Sequence, residues 1–120
     1  MFMKKLLLIA ALIFASYGAF ADDFDDVAEL FRRNAAKVGW GYRVDRAKRM
    51  VFFDIKFTEN VKSFTRQDLA DFKREFIISF KKGAGPNGVA KIKRARLTMV
   101  LKLTMADGYS YRVKIPWYEL

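Results

Sequence analysis

Arginine and lysine side chains in the last third of the sequence are the residues best suited to chemistry, and that chemistry is the recognition of anions. Five of them accompany two segments of alternating apolar and polar residues: Arg94, Arg96, Lys102, Arg112 and Lys114. A guanidinium presents a planar fork that matches a carboxylate or a phosphate, and an ammonium adds a compact positive charge. These five residues are therefore predicted to bind an anionic partner.

The alternation also predicts how the cations are displayed. Segments 97–105 and 109–117 each carry apolar residues at every second position, as expected of the two strands of a hairpin. A three-residue loop over 106–108, with Gly108 in the left-handed conformation, places these apolar residues on one face. A two-residue turn at 107–108 would mix the two faces, so the three-residue loop is predicted.

The cations then share the opposite face of this hairpin. Lys102 is expected directly opposite Arg112. Arg96 is expected opposite Tyr118, with Arg94 continuing the row toward the start of the strand. Like charges at opposed positions destabilise a hairpin, which favours a surface that a partner neutralises. The alternative is a solvated face whose charges only prevent edge-to-edge aggregation.

An earlier hairpin contributes further groups to that surface. Arg43 and Lys56 are expected to join the cations, with Asp54 as the one nearby counter-charge. Phe52 of this hairpin and Tyr118 are the expected aromatic contacts among the cations. The leading hypothesis is a non-catalytic binding protein that engages an anionic envelope polymer or an acidic protein through this basic sheet face.

Catalytic and metal chemistry is restricted by composition, because the sequence contains neither histidine nor cysteine. Histidine-assisted nucleophiles and the usual zinc sites are excluded. Carboxylates such as Asp54 and Glu75 remain, but no spacing brings two acids to one site. The acidic run over 22–26 lacks the spacing of a calcium loop and is typical of a helix start. The protein is expected to be no enzyme and to need no metal or cofactor.

Residues 1–21 have the three parts of a bacterial secretory signal. Two lysines open the segment, an apolar run follows over 6–15, and a small-x-small cleavage pattern stands at 19–21. The apolar run is too short for a permanent membrane span. Cleavage leaves 22–120 as one domain, and the loss of two lysines lowers the net charge from +10 to +8. A periplasmic or secreted protein without a transmembrane segment is predicted, which argues against nucleic acid as the partner.

The mature sequence predicts an α+β domain in the order α-ββ-α-ββ. An apolar stripe over 22–38 indicates the first helix, and a capping box over 65–68 begins the second. Alternation around a loop at 45–48 predicts the first hairpin, with Tyr42 opposite Val51. The two hairpins are expected to form a four-stranded antiparallel sheet with both helices packed on its apolar face. The expected core residues are Phe31, Tyr42, Phe53, Ile55, Phe72, Phe76, Leu101, Val113 and Ile115.

A second hypothesis is a small inhibitor or immunity-type protein that forms a one-to-one complex with an envelope or extracellular enzyme. Such proteins are single-domain, exported and free of catalytic residues, and they often insert a loop into a cleft of the target. The candidate loops are the glycine-rich connection 83–88 and the turn at Asp107. A salt-resistant complex with one protein would distinguish this function from salt-sensitive association with many anionic polymers.

Overall fold

A computed structural model describes residues 24–58 and 65–120 of the chain, and the predicted signal peptide over 1–21 lies outside the described residues. The structure confirms the α+β class and the order α-ββ-α-ββ. The elements are α1 (Phe24–Lys37), β1 (Gly41–Asp45), β2 (Met50–Lys56), α2 (Arg66–Ala95), β3 (Thr98–Thr104), β4 (Ser110–Ile115) and a 3₁₀ helix (Trp117–Glu119).

The sheet has the strand order β1-β2-β3-β4. Both hairpins are antiparallel as predicted, whereas the central pair β2–β3 is parallel. The parallel pair follows from the chain path, because α2 carries the chain back along the sheet before β3 begins. A strand–helix–strand connection of this kind lets the second strand run in the same direction as the first. The sheet is therefore mixed, with mostly antiparallel pairing.

The β3–β4 hairpin has the predicted loop and register. Gly108 adopts a φ of 90°, in the left-handed region, and its N–H donates to the Met105 carbonyl at 2.9 Å. The Met105 N–H donates to the Tyr109 carbonyl at 2.7 Å, which closes the three-residue loop. Lys102 consequently pairs with Arg112. The predicted three-residue loop is therefore confirmed, and the two-residue turn, which would mix the two faces, is excluded.

The β1–β2 hairpin has a register two residues away from the predicted one. Tyr42 pairs with Phe53 rather than with Val51, and the loop occupies 46–49. Arg49 closes this loop in the left-handed conformation with a φ of 53°. A shift of two residues leaves every side chain on its original face, so the apolar pattern does not distinguish the two registers.

Helix α2 is longer than the sequence pattern indicates. It begins at the predicted capping box, in which the Asp68 N–H donates to the Thr65 hydroxyl oxygen at 3.0 Å. The prediction of a connecting loop over 83–88 is wrong, since the chain is helical on both sides of a kink at Gly85 (φ 74°, ψ 172°). Pro86 follows the kink, where its fixed φ suits the first turn of a restarted helix.

The core lies between the helices and one face of the sheet. Phe31 of α1 contacts Phe53 of β2 and Phe80 of α2, with ring centroids 5.9 and 6.4 Å apart. All the predicted core residues belong to this cluster, with Tyr42 at its partly buried margin. The Tyr42 hydroxyl donates to the Ala28 carbonyl of α1 at 2.7 Å. The other face of the sheet, called the outer face below, is thereby left to carry the polar and charged side chains.

Candidate anion-binding site

The outer face carries two complete rows of residues that run across all four strands. Their order follows from the registers of the three strand pairs. The first row consists of Gly41, Asp54, Lys102 and Arg112. The second row consists of Arg43, Phe52, Val100 and Lys114. Because side chains of neighbouring strands in one row lie about 5 Å apart, each row forms a continuous surface.

A groove of about 330 Å³ opens on these rows. Phe52 and Val100 provide apolar side chains at its centre, and Val100 is only 6% exposed although it belongs to the outer face. Charged side chains border the groove at Arg43, Lys102 and Arg112. An apolar centre with a cationic border suits an anion that also has apolar surface.

Arg43 is fixed at one side of the groove by its stacking on Phe52. Its guanidinium carbon lies 3.9 Å from the centroid of the Phe52 ring. Such cation–π stacking holds the guanidinium plane in place and leaves its N–H groups at the ring edge. Both residues were predicted from the sequence to lie on this surface. Their direct contact is seen only in the structure.

Lys102 and Arg112 form the cationic centre of the first row. They are directly opposed, as predicted, and Lys102 is half-buried whereas Arg112 is exposed. Within residues 24–58 and 65–120 neither side chain has a carboxylate oxygen within 4 Å. Two adjacent positive charges thus lack close compensation from the described part of the protein.

Among the described residues, Asp54 is the single carboxylate that lines the groove. The parallel β2–β3 pair places it next to Lys102, on the side away from Arg112. Its Oδ1 accepts a hydrogen bond from the Thr104 hydroxyl at 3.1 Å. Asp54 was predicted from the sequence as the nearby counter-charge. Its position beside Lys102 depends on the parallel pairing of β2 and β3, which was not predicted.

Lys114 lies on the same face in the second row, next to Val100. It is exposed and has no ion pair with any described residue. Three of the five predicted binding residues, Lys102, Arg112 and Lys114, therefore share the outer face of one hairpin.

The other two predicted binding residues do not belong to the sheet. Arg94 lies in the last turn of α2, and Arg96 is its C-cap with φ 52° and ψ 43°. Strand β3 begins only at Thr98. Their prediction as members of the sheet row is wrong, because α2 restarts after its kink and continues to Ala95. The expected pairing of Arg96 with Tyr118 is also wrong, since the chain enters a 3₁₀ helix after β4.

Arg96 instead lies at the end of the sheet where β3 begins. The β1–β2 loop meets the chain there, because the Arg49 side chain donates to the Ala95 carbonyl at 2.8 Å. The Thr98 N–H donates to the Arg49 carbonyl at 2.9 Å. Neither Arg96 nor Lys48 of the same loop is part of the groove lining.

Tyr118 and Lys56 do not border the groove either. Tyr118 is 68% exposed on the 3₁₀ helix, where its ring meets that of Trp117 at 5.6 Å. Lys56 belongs to the outer face but lies beyond the first row, in register with Thr104. Of the aromatic residues that line the groove, Phe52 is the one whose position belongs to the outer face, since Tyr42 and Phe53 pack in the core.

The described ranges contain no cluster of three or more acidic side chains suited to a metal ion. No helix within them is long and apolar enough to cross a membrane. Comparison with protein-family models, curated proteins and solved structures finds no match for this chain.

Proposed function

We propose that the chain is an exported, non-catalytic binding protein that engages an anionic partner through the outer face of its sheet. The partner is an anionic envelope polymer or an acidic protein. The observation that carries the proposal is the opposed pair Lys102 and Arg112, which has no carboxylate within 4 Å among the described residues. A partner that neutralises this pair removes the repulsion between like charges.

The concave shape of the groove also supports the proposal. Arg43, Lys102 and Arg112 border a concave surface with Phe52 at its centre. A cationic concavity concentrates the positive potential, which accelerates the capture of anions and makes binding sensitive to salt. The net charge of +8 expected for the chain without residues 1–21 adds long-range attraction of the same sign.

Export is the second part of the proposal, and it is supported by the signal-like segment 1–21. The mature chain is expected to begin at Asp22. Intact mass measurement on protein recovered from the periplasm or the culture medium tests this directly. Recovery only from the cytoplasm, with the N-terminal segment intact, would contradict the export proposal.

Charge reversal on the outer face tests the binding proposal. The double variant Lys102→Glu/Arg112→Glu is compared with Lys81→Glu/Lys82→Glu, which has the same net charge but changes exposed residues of α2. Retention on immobilised lipopolysaccharide and polyphosphate is measured at about 0.15 M and about 0.5 M salt. The sheet variant is expected to lose at least tenfold in affinity, about 1.4 kcal/mol, and the helix variant much less. Equal losses would show that only net charge matters.

The β3–β4 turn supports an inhibitor of an envelope or extracellular enzyme as the second candidate function. Of the two predicted loops it is the one that the structure retains. Tyr109 stands beside it with 64% of its surface exposed, and its ring contacts that of Tyr111 at 5.1 Å. Exposed tyrosines are frequent anchors at protein interfaces. This function predicts one captured protein at both salt concentrations, with binding lost in Tyr109→Ala and retained in the charge-reversed sheet variant.

A further inference from the structure

We propose that the ligand of the groove is an anionic saccharide, namely a sugar unit with a phosphate or carboxylate group. In this arrangement Lys102 and Arg112 receive the anionic group and Asp54 accepts a hydrogen bond from a sugar hydroxyl. The inference rests on the proposed function, because it names the chemical class of anion that the outer face binds.

Asp54 is the residue that distinguishes a sugar anion from a simple polyanion. A carboxylate beside Lys102 repels phosphate and so weakens the binding of a ligand that offers only negative charge. The same carboxylate accepts hydrogen bonds strongly from a hydroxyl donor. A site for a ligand with both groups, anion and hydroxyl, therefore gains specificity from Asp54.

The Asp54 side chain is oriented by the protein and remains available to a ligand. The Thr104 hydroxyl donates to its Oδ1 at 3.1 Å, which restrains the carboxylate. Within residues 24–58 and 65–120 its Oδ2 has no hydrogen-bond or ion-pair partner. The residue is half-buried and borders the groove, so this oxygen is a restrained acceptor at the binding surface.

Gly41 leaves space next to that acceptor. It pairs with Asp54 across β1 and β2, and a Cβ atom at this position would lie 3.1 Å from the Asp54 Cβ. A side chain at this position would crowd the Asp54 side chain at its Cβ atom from the β1 side. The glycine therefore keeps the approach to Asp54 open for a ligand hydroxyl.

The size and the centre of the groove fit one sugar unit. Its volume of about 330 Å³ is near the lower end of the range of about 300–1,000 Å³ that is usual for small-molecule sites. Phe52, which is half-buried, supplies apolar surface for the C–H face of a pyranose ring, whereas Val100 beside it is only 6% exposed. Lys102 and Arg112 have opposed positions about 5 Å apart, close enough to bind the same phosphate or carboxylate.

Binding of three small probes to the purified full mature protein tests the inference. Glucose 1-phosphate and glucuronate are the two sugar anions, which distinguish phosphate from carboxylate, and tripolyphosphate is the anion without a hydroxyl-bearing ring. Affinities are measured by calorimetric titration or amide chemical shifts for the unchanged protein and for Asp54→Ala. Loss of the acceptor is expected to weaken at least one sugar anion fivefold or more, and to leave tripolyphosphate binding equal or stronger.

The decisive quantity is the affinity for a sugar anion divided by the affinity for tripolyphosphate, both measured on the same variant. Partial unfolding would lower both affinities equally and leave this ratio unchanged. Thr104→Val provides a second variant, in which the carboxylate remains but loses its restraint, and it is expected to lower the same ratio by a smaller factor. If Asp54→Ala strengthens the sugar anions and tripolyphosphate alike, the saccharide inference is overturned and the proposed anion binding stands. If the unchanged protein binds tripolyphosphate but neither sugar anion, the inference is likewise overturned. Failure of the proposed function is recognised separately, by binding that the Lys102→Glu/Arg112→Glu variant retains in full.

Discussion

Lys102 and Arg112 occupy directly opposed positions of the β3–β4 hairpin, so two positive charges lie side by side at the centre of the outer face. The arrangement opposes folding, because like charges at such positions repel one another. Both residues nevertheless line the groove, where a ligand can reach them. Stability and anion binding therefore make opposite demands on the same two residues.

Arg112→Glu is expected to stabilise the protein while weakening its binding to anions. The substitution places an acid opposite Lys102, and a favourable cross-strand pair is expected to raise the free energy of unfolding by about 0.5 kcal/mol. Urea unfolding at low salt measures the gain, which should shrink at about 1 M salt. Arg112→Gln, which removes only the repulsion, should give a smaller gain. A lower stability for the glutamate variant would contradict the proposed repulsion.

The sequence predicts a strand register well where the competing registers place the apolar residues on different faces. The β3–β4 register is such a case, since the two-residue turn mixes the faces and the three-residue loop ending at Gly108 does not. The β1–β2 register is not, because pairing Tyr42 with Val51 or with Phe53 exposes the same side chains. The face was therefore predictable there, but the partner of each residue was not.

The misplacement of Arg94 and Arg96 has a different physical cause. Glycine and proline at 83–88 indicate a break in the chain, and a break after a helix suggests that a new strand follows. In the structure Gly85 adopts a conformation that only glycine tolerates, and Pro86 restarts the helix. The helix then continues through Arg94, which removes both arginines from the sheet. Such a kink depends on tertiary packing, and local sequence does not reveal it.

Gly85→Ala tests the importance of this kink. A φ of 74° with a ψ of 172° lies in a region almost restricted to glycine, so alanine is expected to lower the free energy of unfolding by about 1–3 kcal/mol. Gly83→Ala is the matched control, because Gly83 belongs to the regular helix before the kink. Alanine at this position is expected to raise the free energy of unfolding by about 0.5–1 kcal/mol. Urea unfolding of both variants should give effects of opposite sign. Equal effects would show that the backbone at Gly85 is not strained by a side chain.

Glu29 on α1 is expected to make stability depend on acid pH. The Arg32 Nε donates to Glu29 at 2.8 Å and Arg33 lies 3.5 Å away, and these guanidinium groups lower the pKa of Glu29 from 4.5 to about 2. Because the pKa of Glu29 is lower in the folded than in the unfolded chain, its ionised carboxylate stabilises the fold above pH 4.5. This stabilisation is lost as the pH falls toward 2. Glu29→Gln should remove this part of the pH dependence.

The effect of Glu29 is expected to be small and sensitive to salt, because the side chain is exposed to solvent. The difference in stability between the unchanged protein and Glu29→Gln is measured from pH 5 to pH 2, at low salt and at about 1 M salt. The two curves should converge in acid and also at high salt. A constant difference across this pH range would show that the carboxylate does not titrate between the two states as proposed.

Tyr42 is expected to contribute stability that is lost in alkali. Its hydroxyl donates to the Ala28 carbonyl at 2.7 Å, and Tyr42→Phe should lower the free energy of unfolding by about 1 kcal/mol at neutral pH.

Burial raises the pKa of Tyr42 above its ordinary value of 10. A raised folded pKa means that the contribution is complete below pH 10 and declines as the unfolded chain ionises at higher pH. Urea unfolding at pH 7 and pH 11 should therefore show a smaller difference between the two proteins in alkali. Tyr109→Phe, which changes an exposed tyrosine, should show little difference at pH 7, and an equal loss there would indicate that the contact with Ala28 is not the cause.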